Sequence, residues 1–281
     1  MTITVVTTFH HEGLTTYGQR FIDSFAQRVD KNIKLIVYAE DCTPANPDPR
    51  QIIIQDAKAT LLKLNVFKET WKDIPKANGN ISSDPIRSKR KDSKKAFKWD
   101  AVRFANKVYA VFDACNKREG NWIVWMDADS YIHSNWSYAA FKNLLPENKY
   151  ITYVGRGKGS QTWPECGFYG LNMNHPVCHS FLEEFERMYE DAEKGMFLLP
   201  EWHDSYIFGE VLKQFKQFNA DYDYSAQMYM SEAKSGGGGH PLINTELGKY
   251  MDHMKGERKK DGKSKRSDIM VNRTEAYWNE V

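Results

Sequence analysis

NWIVWMDADSYIHSNW, residues 121–136, is the stretch on which the architecture turns. Positions 122–126 are all apolar and favour extended backbone, as a buried strand requires. The run then stops at Asp127-Ala128-Asp129. In open α/β sheets ligands gather outside the carboxyl ends of strands, so two carboxylates at i and i+2 stand where a ligand would. Carboxylates this close repel unless a cation or donors lie between them. A divalent ion such as Mn²⁺ or Mg²⁺ takes oxygen ligands and commonly bridges a protein carboxylate to a phosphate. These residues alone leave open a polar turn in which one Asp caps the next helix.

Outward from this segment the pattern is that of an α/β protein. Residues 3–8 are β-branched and apolar, a strand. Thr15 or Thr16 is positioned to cap a helix in which Tyr17, Phe21, Phe25 and Val29 recur at helical spacing. IKLIVYAE (33–40) and QIIIQ (51–55) read as two further strands. The order strand, helix, strand, strand predicts a sheet flanked by helices. A helix is expected within 57–74, an irregular excursion over 75–95, and a buried helix over 97–115. A short helix near 136–144, the strand YITYV and the segment ECGFYGLNMN (165–174) follow. Helices are expected at 176–193 and 203–216, then a four-glycine run at 236–239 and a polar tail.

Composition narrows the class. At 281 residues, 41% hydrophobic and 27% charged, the chain is long and apolar enough for a globular core and is not globally disordered. No run approaches the ~18 apolar residues of a membrane span. MTITVVTTFHH carries no cationic leader, and the four cysteines form no CxxC or Cys/His zinc pattern, so reduced thiols in a cytoplasmic protein are expected. The net charge of +2 implies no overall affinity for nucleic acid. Two basic blocks, at 87–98 and 255–266, read as solvated loops or as anion sites.

A strand ending in Trp-Met-Asp-Ala-Asp-Ser resembles the DxD motif of GT-A fold glycosyltransferases. His253-Met254-Lys255-Gly256-Glu257-Arg258-Lys259 reads HxxGxxK and resembles the closing motif of glycosyltransferase family 8 and its relatives. The Pro-Trp that often follows this Lys in family 8 is Lys260-Asp261 here. The resemblance implies a GT-A (Rossmann-like) mixed central sheet in one globular domain over 1–254. Its nucleotide-binding part would be about 1–130 and its acceptor part about 131–235, with a basic C-terminal lid or tail at 255–281. It implies Asp127, Asp129 and His253 as ligands of Mn²⁺ or Mg²⁺, and Gly256 and Lys259 close to the diphosphate of a nucleotide sugar. That division is chemically sensible, since imidazole suits Mn²⁺, Gly admits backbone approach and Lys supplies a compact charge.

The same resemblance places Thr7, Thr8 and Phe9 at the nucleoside, with Phe9 or Tyr38 as a stacking ring, and Ala128 beside the donor. Arg103 and Lys107, four apart, share a face of the helix before the DxD strand; one of them is expected to reach the donor or to order Asp127. Glu165 and Asp204 each sit among aromatics and are candidates for the acceptor side, Asp204 first and Glu165 second as a base. Asp204 as an ordinary first-turn helix residue remains open. Together these imply a hexosyltransferase-like enzyme using a UDP-sugar, retaining slightly favoured, with a glycan, lipid, protein or nucleic-acid acceptor. The alternatives are a DxD phosphohydrolase, whose motif wants Thr or Val where Tyr131 stands, and a non-catalytic nucleotide- or carbohydrate-binding protein.

Overall fold

β-Branched and apolar runs dictate where the chain is extended, and seven of the extended segments pair into one sheet. The computed structural model describes residues 1–80, 82, 84, 87–89, 95–155, 163–223 and 240–281. Its strands are β1 Ile3–His10, β2 Ile33–Glu40, β3 Ile52–Asp56, β4 Trp122–Met126, β5 Ser130–Ile132, β6 Ile151–Val154, β7 Glu165–Asn172, β8 Asp221–Asp223 and β9 Met251–His253. The large sheet has the order β3-β2-β1-β4-β7-β6-β8, and β5 pairs with β9 in a separate two-stranded ribbon. β1 is parallel to β2 and β4, β2 to β3, and β6 to β8, while β7 runs antiparallel to β4 and β6. The expected mixed sheet flanked by helices is thus present.

Residues on alternate sides of each strand feed two cores. On one face α1 (Gln19–Arg28) buries Phe21, Ile22 and Phe25 against Ile3, Val5, Leu35, Val37 and Val124. The opposite face, with Val6, Ile36, Ile123 and Trp125, is covered by α3 (Ala101–Asn116), α5 (Pro176–Glu190) and α6 (Asp204–Phe215). Strands β2 and β3 lie to one side of β1 and β4 to the other. The carboxyl ends of β1 and β4 therefore flank a switch point, and a cleft lined by Thr8, Phe9 and Asp127 opens there.

Several local expectations are corrected. The helical turns after β1 begin at His11, not after Thr15 or Thr16, because His10 Nδ1 accepts the amide of Gly13 at 3.2 Å. The two threonine hydroxyls instead donate to the Glu12 carbonyl at 3.0 and 2.7 Å. The helix expected within 57–74 is broken at Leu61 into Ala57–Thr60 and α2 (Leu62–Trp71). Ahead of α3 a tighter turn, Ala96–Trp99, ends at Asp100, whose carboxylate caps the Arg103 amide at 3.2 Å. The short helix near 136–144 is α4 (Tyr138–Lys142). The four-glycine run and part of the first basic block (90, 91 and 94) lie outside the described residues.

The segment 255–281 is packed onto the domain. After a short helix α7 (Arg258–Asp261), Arg258 pairs with Asp268 through two contacts of 2.5 Å. The buried Trp278 indole donates to the Gly248 carbonyl at 2.8 Å. His133, just past β5, is stacked face to face on Tyr277 at 4.3 Å and 2°. Much of the second basic block is used internally: Lys255, Arg258, Lys259 and Lys260 each pair with a carboxylate, and Lys263 donates to the Glu280 carbonyl at 2.8 Å.

Burial pushes the His133 imidazole down to about 4, only partly offset by the Asp252 and Glu275 carboxylates. The unfolded chain takes up this proton near pH 6.5 and the folded chain only near 4, so stability falls as pH drops through that window. The loss from this group is expected to be on the order of 3 kcal/mol. Urea denaturation of wild type and His133→Phe at pH 7 and pH 4.5 checks this, since the variant should lose less; equal losses would contradict it.

Candidate functional site

Strand β4 delivers Asp127 to the cleft with its amide already used: it donates to the Gly167 carbonyl on β7 at 2.9 Å. Ser130 then closes a turn onto the Asp127 carbonyl at 3.2 Å, and the chain re-enters extended backbone as β5. Pairing of β5 with β9 sets Ser130 opposite His253, and the Met254 amide donates to the Asp129 carbonyl at 2.8 Å. A residue more than a hundred positions away is thereby held across from the DxD turn by backbone hydrogen bonds.

The charges are arranged alternately. Asp127 Oδ1 accepts the Trp125 indole at 2.6 Å and lies 3.1 Å from Lys107 Nζ, while its Oδ2 faces His253 Nε2 at 3.6 Å. Asp129 Oδ1 is 3.2 Å from the same Nε2, and its Oδ2 is 2.8 Å from Lys259 Nζ. Each carboxylate has one oxygen on a lysine and the other turned toward His253. Donor atoms of Asp127, Asp129 and His253 lie within 4.8 Å of one another. Two carboxylates and an imidazole form a donor set suited to Mn²⁺ and related divalent ions.

The electrostatics show what the pair of carboxylates demands. Burial opposes a charge on His253, but Asp129 and Asp127 outweigh it and push the imidazole up to about 10. Burial likewise works against the ionised Asp127, yet Lys107 and His253 hold it below the usual carboxylate range. Asp129 is shifted the same way by His253 and Lys259, against burial and the neighbouring Asp127. Positive charge between the two carboxylates is therefore strongly favoured, and a divalent ion meets the same demand.

Lys107 is the second organising group. Its ammonium lies 2.8 Å from Asp204 Oδ2 as well as beside Asp127, and it donates to the Cys166 carbonyl. Burial is outweighed by Asp127 and Asp204, so its pKa is raised. Of the pair Arg103 and Lys107, the structure brings Lys107 to Asp127, while Arg103 lines the cleft nearer Phe104. Glu165, also buried, meets Lys255 at 2.6 Å.

Lys107, Asp127, Asp129, Glu165, Asp204 and Lys255 line an open cleft of about 290 Å³ together with Thr8, Phe9, Ala128, Trp163 and Lys259, whereas His253 is buried and not among the lining residues. The remaining expected residues fall differently. Thr7 is fully buried, its hydroxyl lacks a partner among the described residues, and it does not line the cleft. Thr8 donates to the Tyr38 carbonyl at 2.6 Å and to Glu40 at 2.9 Å. Tyr38 is no stacking ring: it is buried on the α3 side, where its hydroxyl donates to Asp113 at 2.7 Å. Gly256 does not line the cleft either; it takes φ +63°, a left-handed turn that lets α7 bring Lys259 back to Asp129.

Sequence reasoning missed Trp125, Tyr17, Lys255 and Gly167. Trp125 was legible, since i and i+2 share one face where a strand ends, and Trp125 precedes Asp127 by two. Tyr17 lies in the turn after β1, with Lys259 Nζ 5.0 Å from its ring centre. Gly167 is dictated by proximity: a Cβ there would come within 2.9 Å of His253 Cε1 and 3.3 Å of Asp127 Oδ2. No sequence pattern signals that approach.

No family model and no curated protein matches the chain. The solved structures to which it is similar include three glycosyltransferases. The apo WbbM bifunctional glycosyltransferase is 12% identical with a TM-score of 0.46, over 80% of this chain and 39% of that one. Mouse xyloside xylosyltransferase 1, also apo, is 10% identical with a TM-score of 0.45, over 80% and 86%. The glycosyltransferase GlyE of Streptococcus pneumoniae TIGR4 is 9% identical with a TM-score of 0.42, over 81% and 46%. The chain thus spans under half of the WbbM and GlyE chains and most of the mouse enzyme.

Removing the Lys107 ammonium leaves Asp127 and Asp204 without their shared cation. Lys107→Met is expected to lower unfolding free energy in metal-free buffer by about 3–5 kcal/mol, measured in urea. A loss within the ~0–1 kcal/mol range of exposed pairs would show that the ammonium does not clamp the site.

Proposed function

We propose that this chain is a divalent-metal-dependent glycosyltransferase that moves a sugar from a nucleoside-diphosphate sugar, a UDP-sugar by the motif resemblance, to an acceptor hydroxyl. The observation that carries this reading is the convergence of Asp127, Asp129 and His253 at the carboxyl end of β4, with Lys259 on one side and Lys107 on the other. The cleft, about 290 Å³ and open to solvent, is near the lower end of the volumes that hold small-molecule ligands.

Asp127 Oδ2, Asp129 Oδ1 and His253 Nε2 are the atoms that would hold the metal. Bound there, Mn²⁺ or Mg²⁺ would act as a Lewis acid on the diphosphate oxygens. In the reaction the bond from the anomeric carbon to the diphosphate oxygen breaks, the acceptor oxygen bonds to that carbon, and the acceptor proton passes to an oxygen of the departing diphosphate. Charge grows on the diphosphate as the carbon becomes oxocarbenium-like. Lys259 is placed to exchange its contact with Asp129 for one with that growing charge, which lowers the barrier because the interaction strengthens in the transition state. Phe9 and Thr8 form the floor at the end of β1, where the nucleoside would rest. Trp163 stands edge-on to His203 at 4.4 Å and walls the side on which Asp204 and Glu165 face the cleft.

Of the carboxylates lining the cleft, the two acceptor-side candidates are ion-paired, Asp204 with Lys107 and Glu165 with Lys255. Each would have to give up a cation before taking a proton from an acceptor. That arrangement supports a retaining outcome, in which neither is needed as a base, and gives them the role of holding sugar hydroxyls.

Calorimetric titration of Mn²⁺ and UDP tests the donor site. Wild type should bind UDP only with the metal, and Asp129→Ala should bind neither detectably. UDP binding that ignores both the metal and the substitution, or the absence of any UDP and GDP binding, would overturn the assignment.

A further inference from the structure

We infer that the C-terminal segment 264–278 is a positioning element for His253, gripping the β5–β9 ribbon on the face opposite the metal ligands and so setting the metal affinity of the site. The inference rests on the reading of Asp127, Asp129 and His253 as ligands.

The argument begins with strand alternation. Along β9, Asp252 and His253 point to opposite faces. In the antiparallel register Ser130 opposes His253, and Tyr131 opposes Asp252. Directly opposed residues share a face, so Ser130 and His253 lie on the cleft side while Tyr131 and Asp252 lie on the other.

A ribbon of two three-residue strands has little stability of its own. On the His253 side it is held by Ile132 and Met251, buried in the core, and on the far face by hydrogen bonds. The wholly buried Asp252 carboxylate accepts the Ser264 amide at 2.8 Å, the Ser264 hydroxyl at 2.5 Å and the Tyr277 hydroxyl at 2.7 Å. Tyr277 also packs on the other strand, with its ring 5.8 Å from that of Tyr131 and stacked on His133. One phenol thus touches both strands. Tyr131 is further fixed from α1 by the Arg20 guanidinium, 3.9 Å from its ring centre.

The His253 ring is directed at Nε2 by Asp127 and Asp129, 3.6 and 3.2 Å away, and not from its other nitrogen. His253 is buried, and its Nδ1 has no hydrogen-bond partner among the described residues, where a metal-ligating imidazole ordinarily has one that sets its ring. Its direction therefore depends on those two carboxylates and on the backbone of β9, which Asp252 helps to hold. Tyr277 and Ser264 are accordingly positioning residues, acting on the metal through Asp252 and His253.

Mn²⁺ titration in the presence of UDP, followed by the EPR signal of the free ion, tests this on the full chain. Tyr277→Phe keeps the ring against His133 and removes one donor to Asp252; Mn²⁺ affinity should fall by about 10-fold, within the range seen when partners behind metal ligands are altered. Ser264→Ala, which removes a different donor to the same carboxylate, should act in the same direction. In a His253→Ala background, which itself weakens Mn²⁺ binding, Tyr277→Phe should cause no further loss, because its effect passes through the missing ligand. Losses that simply add, or unchanged affinity in both single variants, would overturn the inference. Absence of Mn²⁺ binding by wild type would instead defeat the ligand assignment itself.

Discussion

Two carboxylates two residues apart, at the mouth of a buried strand, cannot both stay ionised without positive charge between and around them. Asp127 and Asp129 impose that condition, and three distant parts of the chain answer it. Lys107 arrives from α3, His253 from β9, and Lys259 from α7 beyond the Gly256 turn. The mixed sheet supplies the frame, with β4 between β1 and β7, but the site is assembled by these charges. Their alternation, lysine outside and imidazole inside, leaves one oxygen of each Asp and one ring nitrogen facing a common point.

Much of this was legible before any coordinates. The strands β1, β2, β3 and β4 are apolar, β-branched or aromatic runs whose burial needs no partner to be recognised, and the abrupt end of β4 marks the site. His253 and Lys259 were visible through the spacing of their motif. The failures have physical causes. Three-residue strands such as β5, β8 and β9 bury too little to show a period, so the ribbon that carries His253 to the DxD turn could not be seen. Tyr38 was misplaced because an aromatic ring at a strand end is equally compatible with either face; its hydroxyl found Asp113 on α3.

The basic C-terminal segment shows the limit of counting charge. A block of lysines and arginines at 255–266 invites the idea of a free cationic patch. Folded, Arg258 is spent on Asp268, Lys259 on Asp129 and Lys255 on Glu165. The segment's aromatic end then closes the far side of the ribbon through Tyr277 and Trp278. In the proposed reading, charge near the diphosphate and support behind the metal ligand would both come from this one stretch of chain, which would tie the geometry of the site to the folding of residues that touch neither metal nor donor.

Locating the metal is the most direct test of the account. Anomalous diffraction at the manganese edge, from crystals grown with Mn²⁺ and UDP, is expected to show a bound ion between Asp127, Asp129 and His253, in contact with the diphosphate. Manganese bound elsewhere, or UDP seated in the cleft with no ion at these three residues, would contradict it.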